Sequence, residues 1–155
     1  EAISEIERCV SLGFCGIGEL GPGANGFDFQ SPQFLDVLEC AVHYHLPVCI
    51  HCGEPIGHTY PGKDTTSLAP IPQLLKRYPN LKIILLYDIK SIKTVISMVG
   101  PNRVLYGSDF PLLLYPSVKR EMDFSLFIHD ITQNANLTEQ EWTQFMGKNL
   151  LEFIT

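Results

Sequence analysis

The sequence predicts an α/β fold of parallel strand–helix repeats, part of a (β/α) barrel. Three observations predict it. Short apolar runs rich in β-forming residues begin at positions 14, 47 and 81, in steps of 33 and 34 residues. Segments with apolar residues at helical spacing lie between them. A step of that length holds one strand and one crossover helix, as parallel pairing requires. Lastly, a polar residue closes several runs: Glu19, His51 and, after a fourth run at 103–107, Asp109. Parallel α/β folds place their chemistry at the carboxyl ends of strands.

The chain has 155 residues, 45% hydrophobic and 18% charged, enough for one domain with a real core over 1–155. The formal net charge of −6, with no cluster of Lys and Arg, argues against nucleic-acid phosphates as the partner. Cys9, Cys15 and Cys40 sit in apolar or helical contexts and read as small core residues of a reduced, cytoplasmic protein. Cys49 and Cys52 have redox or zinc-knuckle spacing, but they span a strand end and have no second pair. No apolar run is long enough to cross a membrane, so no membrane partner is expected.

Taken in order, residues 1–12 place Ile3, Ile6 and Val10 on one helical face, with Gly13 as the stop. An apolar stripe of this kind needs a sheet to cover, so a chain longer at this end is expected. The run 14–20 reads as a buried strand in which Gly16 and Gly18 allow a close backbone approach. Glu19, near its end, suits a metal ligand or general base, or a salt-bridged rim carboxylate. Gly21 to Gly26 reads as a loop. Ser31 and Pro32 fit the cap and first position of a helix whose apolar stripe runs from Phe34 to Val42. His43 and His45 fall in its last turn, where they read as surface groups at the negative end of the helix dipole.

The strand 47–50 comes next, and His51 at its end can offer a ring nitrogen to a metal or serve as a core or supporting histidine. The polar stretch 54–68 reads as a functional loop, with Glu54, His58, Tyr60 and Lys63 as candidate substrate contacts. A short helix over 70–78, a strand over 81–86 and a helix over 92–99 stopped by Gly100 and Pro101 follow. The fourth strand, 103–107, leads to Asp109, which can be a ligand and base or the cap of a turn. Phe124, Phe127, Ile128 and Ile131 mark another helix. Thr138 and Glu141 then have capping-box spacing, with Trp142, Phe145 and Met146 on the buried side before a last helix at 150–154.

Three segments also resemble a known family: Pro-Val-Cys-Ile-His-Cys-Gly-Glu-Pro-Ile-Gly-His-Thr-Tyr-Pro-Gly-Lys (47–63), Tyr-Pro-Asn-Leu-Lys-Ile-Ile-Leu (78–85) and Arg-Val-Leu-Tyr-Gly-Ser-Asp-Phe-Pro (103–111). They resemble the amidohydrolase-related metal-dependent hydrolases, the branch that includes aminocarboxymuconate-semialdehyde decarboxylase. Gly147-Lys148-Asn149-Leu150 is similar to the family's closing segment. The resemblance implies a (β/α)8 TIM barrel of which this chain holds mainly the C-terminal half. It implies a divalent metal, zinc as first choice, held by His51 and Asp109, with Asp109 also taking a proton from the attacking water. Glu19 matches a ligand of the sister metal-dependent deoxyribonucleases and is carried as a candidate ligand. The family's first-strand His-x-His and its histidine after the sixth strand have no counterpart here, and Tyr87 and Asp88 look like the end of the seventh strand. Residues are therefore expected to be missing between Leu86 and Tyr87.

The expected activity is that of a metal-dependent hydrolase, or a non-oxidative decarboxylase, acting on a small carboxylated or cyclic molecule. The alternatives are a degenerate barrel fragment serving as a binding or assembly module, and a nuclease-like enzyme using Glu19. Half a barrel leaves apolar edges open, so pairing with a second copy is also expected.

Overall fold

The computed structural model describes residues 1–51, 67, 69–86, 89–105, 107 and 124–154. Three parallel strands form its sheet: β1 (Ile17–Leu20), β2 (Pro47–His51) and β3 (Lys82–Leu86), in that order across the sheet. Helices α1 (Ala2–Ser11), α2 (Pro22–Asn25), α3 (Pro32–His43) and α4 (Ile71–Arg77) precede or connect them. Then come α5 (Ile89–Val99), a 3-10 turn (Pro101–Arg103), α6 (Phe124–Asn134), α7 (Glu139–Thr143), a π turn (Gln144–Lys148) and α8 (Asn149–Ile154).

The alternation of β2 explains the layering. Val48 and Ile50 are fully buried against the helices, whereas Cys49 and His51 are half-exposed on the opposite face. Pairing on both sides makes β2 the central strand, in register from Pro47 opposite Lys82 to His51 opposite Leu86. Phe34, Leu38 and Ala41 of α3, with Ile71, Leu74 and Leu75 of α4, complete the core over this face. A second cluster gathers Val95 and Ile96 of α5, Val104, Ile131 of α6, Ala135 and Phe145. Val99 packs against both clusters.

Most helices fall where apolar periodicity places them, and the exceptions have local causes. The strand expected at 14–20 is only Ile17–Leu20, and Phe14 is 61% exposed. Among the described residues β1 pairs on one side alone, so its flank receives less cover than a central strand. Gly21 to Gly26, expected as a loop, contains the short helix α2, closed by Gly26 at φ +68. Pro22 pre-sets the first helical position, and glycine tolerates the left-handed stop. Ser31 holds the cap position of α3 without capping it, since its hydroxyl donates to the Asp28 carbonyl at 2.8 Å.

Cys15 is exposed, not a core residue, because the chain is still outside the sheet there. The described residues of the expected strand 103–107 are not a strand. Pro101–Arg103 turns instead, and Val104 after it is extended without joining the sheet. The Arg103 guanidinium holds this segment by donating to the carbonyls of Leu75, Tyr78 and Leu81. Ile128 points outward at 36% exposure, while Ile131 is buried. The junction between Leu86 and Tyr87 lies outside the described residues, as do Glu54, His58, Tyr60, Lys63, Cys52 and Asp109.

Candidate active site

The candidate site is built at the carboxyl edge of the parallel sheet. His51 is the last residue of β2 and Glu19 the penultimate residue of β1. Strict alternation would not bring them together from register alone. Ile17 pairs with Val48 but Leu20 pairs with Ile50, so the ladder slips between them. Ile17 and Leu20 both pack toward the helix-side core, which sets Glu19 apart from them on the open face with His51.

Gly18 permits the slip. A Cβ there would lie 2.7 Å from both the Cβ and the carbonyl oxygen of Cys49, and its φ of +137 suits glycine. The expected close backbone approach is therefore present.

The Nδ1 atom of His51 lies 2.6 Å from Oε1 of Glu19, a short hydrogen bond or ion pair between neighbouring strands. The two side chains keep 21% and 37% of their surface exposed, so the pair borders solvent and can meet a ligand. The turn after β1 flanks the histidine: a Cβ on buried Gly21 would fall 3.8 Å from Cβ of His51 and 3.2 Å from Oδ1 of Asn25. This turn was not legible as part of the site; its signal is the Gly-Pro-Gly run at 21–23, two residues after Glu19.

Two expected site residues thus meet, while Asp109, Glu54, His58, Tyr60 and Lys63 lie outside the described residues. His43 and His45 are exposed beyond the amino end of β2, away from this edge, as expected of surface groups. Among the described residues no group of three or more His, Cys, Asp or Glu side chains could hold a metal ion. An imidazole and a carboxylate on one strand edge are the donor types a divalent ion of the zinc or manganese kind accepts, so the pair fits part of such a site.

No protein-family model matches the chain, and no curated protein matches it. Solved structures do. A crystal structure of 2,6-dihydroxybenzoate decarboxylase complexed with 2,6-dihydroxybenzoate matches with a TM-score of 0.55 at 15% identity, over 99% of this chain and 66% of that one. A dihydroxybenzoic acid decarboxylase from Polaromonas sp. JS666, with bound manganese and the inhibitor 2-nitroresorcinol, matches with a TM-score of 0.54 at 16% identity, over 99% and 64%. A Staphylococcus aureus protein described as an amidohydrolase matches with a TM-score of 0.51 at 16% identity, over 99% and 68%.

The likeness is one of fold: the chain shares its arrangement of strands and helices with these decarboxylases and with the amidohydrolase. The chain spans about 66% of the length of the first of these decarboxylases, so it corresponds to part of that fold. Within that fold, a half-exposed histidine at the carboxyl end of a central parallel strand stands on the side where barrels carry their sites. No helix among the described residues is long and apolar enough to cross a membrane.

Proposed function

We propose that the chain carries part of the active site of a metal-dependent hydrolase or non-oxidative decarboxylase of amidohydrolase type. The observation that supports this best is the His51–Glu19 pair at the carboxyl edge of the parallel sheet. In this reading the domain spans 1–155 and is mainly the C-terminal half of a (β/α)8 barrel. The substrate is a small carboxylated or cyclic molecule, and the 2,6-dihydroxybenzoate bound in one matched decarboxylase supports the carboxylated arm.

His51 and Asp109 would hold the divalent ion, and Glu19 is the carboxylate beside His51. When bound, such an ion supplies a Lewis acid. Zinc suits this donor set, and so does manganese, which one matched decarboxylase contains. His51 fixes one coordination direction because β2 is immobilised by fully buried Val48 and Ile50. Asp109 takes a proton from water in the hydrolytic version. Lys63, His58 and Tyr60 would neutralise or hydrogen-bond an anionic group on the substrate, and Glu54 would shape the same end. A cytoplasmic setting is part of the same reading.

The test is calorimetric. Protein stripped with chelator is titrated with Zn²⁺ and with Mn²⁺. One ion per chain is expected, and His51→Ala should weaken binding by roughly 100-fold or more. Equal affinity in the variant rejects His51 as a ligand. No binding by the parent protein favours a non-catalytic module.

A further inference from the structure

We infer that Glu19 is a positioning residue of this site and not one of its ligands: it holds His51 in the Nδ1–H tautomer, so that Nε2 is the atom that meets the ion. The inference rests on the metal-site reading of His51 and assigns the chemistry of its neighbour.

The first argument is distance. Oε1 of Glu19 and Nδ1 of His51 are 2.6 Å apart. Two donor atoms each about 2.0–2.1 Å from one ion stand roughly 2.9–3.4 Å apart at octahedral or tetrahedral angles. The observed separation is that of a proton shared between the two groups, not of an ion gripped by both atoms.

The second argument is donor inventory. An ionised carboxylate only accepts, so the proton in this hydrogen bond belongs to the imidazole. A neutral imidazole protonated at Nδ1 carries its lone pair on Nε2, and a metal takes the unprotonated nitrogen.

The third argument is rigidity. The two side chains come from adjacent paired strands, 32 residues apart in sequence. Val48 and Ile50 anchor one strand, and the close pass of Gly18 against Cys49 fixes the other. A ligand-orienting carboxylate needs such a frame, because a freely moving one loses the alignment that makes it useful.

The experiment reads the tautomer without metal and the site with it. In metal-free protein labelled with ¹⁵N at histidine, the His51 ring is expected to carry its proton on Nδ1 and none on Nε2. Glu19→Gln keeps an amide oxygen to accept that proton and should retain the tautomer. Glu19→Ala should lose it. Glu19 is 37% exposed, so neither change opens a core cavity. With Zn²⁺, affinity should fall roughly 10-fold in Glu19→Gln and up to roughly 100-fold in Glu19→Ala. The Co²⁺ absorption bands should keep the position and intensity of the parent in Glu19→Gln, as for an unchanged ligand set.

A proton on Nε2 in the parent protein overturns the inference. So does a Co²⁺ spectrum in Glu19→Gln that shows a lost ligand. If the parent binds metal and Glu19→Ala leaves the tautomer unchanged, the role of Glu19 fails while the site stands. If the parent binds none of the three ions, the metal site and the role of Glu19 fall together.

Discussion

Asn149 shows how much one buried amide can fix. Its side chain is fully buried, and its Nδ2 donates to the carbonyls of Pro101 at 2.6 Å and Val104 at 2.9 Å. Those carbonyls bracket the 3-10 turn, so one NH₂ group ties α8 to the segment from Pro101 to Val104. Its Oδ1 has no partner among the described residues. Only a neutral double donor fits between two acceptors. Asn149→Asp is nearly isosteric but turns the donors into acceptors. It should cost about 3 kcal/mol or more at pH 7. The carbonyls raise the folded-state pKa of such a carboxyl, so the deficit is smallest at low pH and grows as pH rises above its unfolded value. Urea unfolding of parent and variant at pH 4 and pH 7 measures this, and an equal deficit at both would contradict it. The sequence marks Asn149 through the closing-segment resemblance, yet its two acceptors lie 45 and 48 residues away, beyond any local pattern.

Helix α7 joins a local device to a distant one. Thr138 accepts the backbone N–H of Glu141 at 3.3 Å, and Oε2 of Glu141 accepts the backbone N–H of Thr138 at 2.8 Å. The same carboxylate receives Lys93 of α5 at 2.6 Å and 2.8 Å. Lys93 first, and then the Thr138 backbone donor, draw the Glu141 carboxyl down to about 2 from 4.5. A carboxyl depressed on folding adds stability above its unfolded pKa and loses it as pH falls through the folded one. The contribution of Glu141 should thus be complete above pH about 4.5 and gone below about 2. In acid titrations followed by Trp142 fluorescence, the parent and Glu141→Gln should differ near neutrality and converge at the acid end. A constant gap would show that the capping box acts without the charge. The Thr138–Glu141 spacing is readable because it closes within one turn, whereas Lys93 enters only through folding. The same division covers the other elements. Periodicity locates α1, α3, α4 and α5, but whether a β-rich run becomes a strand depends on its neighbours. Ile83 has β2 alongside, whereas Val104 is extended and buried outside the sheet. The Glu19–His51 meeting was readable only as two polar strand ends, since the slip of register that joins them belongs to the sheet.

At the scale of the molecule, two apolar clusters must behave as one body if the edge of β2 is to stay fixed. Val99 touches both clusters, and Arg103 joins them by hydrogen bonds. Arg103 follows α5 in the chain, but its guanidinium reaches back to the end of α4 and the start of β3. Nη1 donates to the Leu75 carbonyl at 3.1 Å, and Nη2 to those of Tyr78 at 3.0 Å and Leu81 at 2.7 Å. These include carbonyls at the negative end of α4, where a cation is favoured. Burial lowers the pKa of the guanidinium from its ordinary value. The arrangement also needs a planar fork, which lysine lacks. Arg103→Leu keeps the apolar stem volume and removes the donor to three carbonyls, of which that of Tyr78 keeps the Leu81 N–H at 3.0 Å, and it should cost about 3 kcal/mol. For a chain of this size that lowers the melting temperature by roughly 6–12 °C. Because the residue couples two clusters, far-UV dichroism and Trp142 fluorescence should shift together. Arg103→Lys should recover less than half of the loss, since one ammonium cannot span all three acceptors. A fluorescence transition that moves alone would mean that Arg103 serves only the second cluster, and the sheet edge carrying His51 would then owe its rigidity to the first cluster by itself.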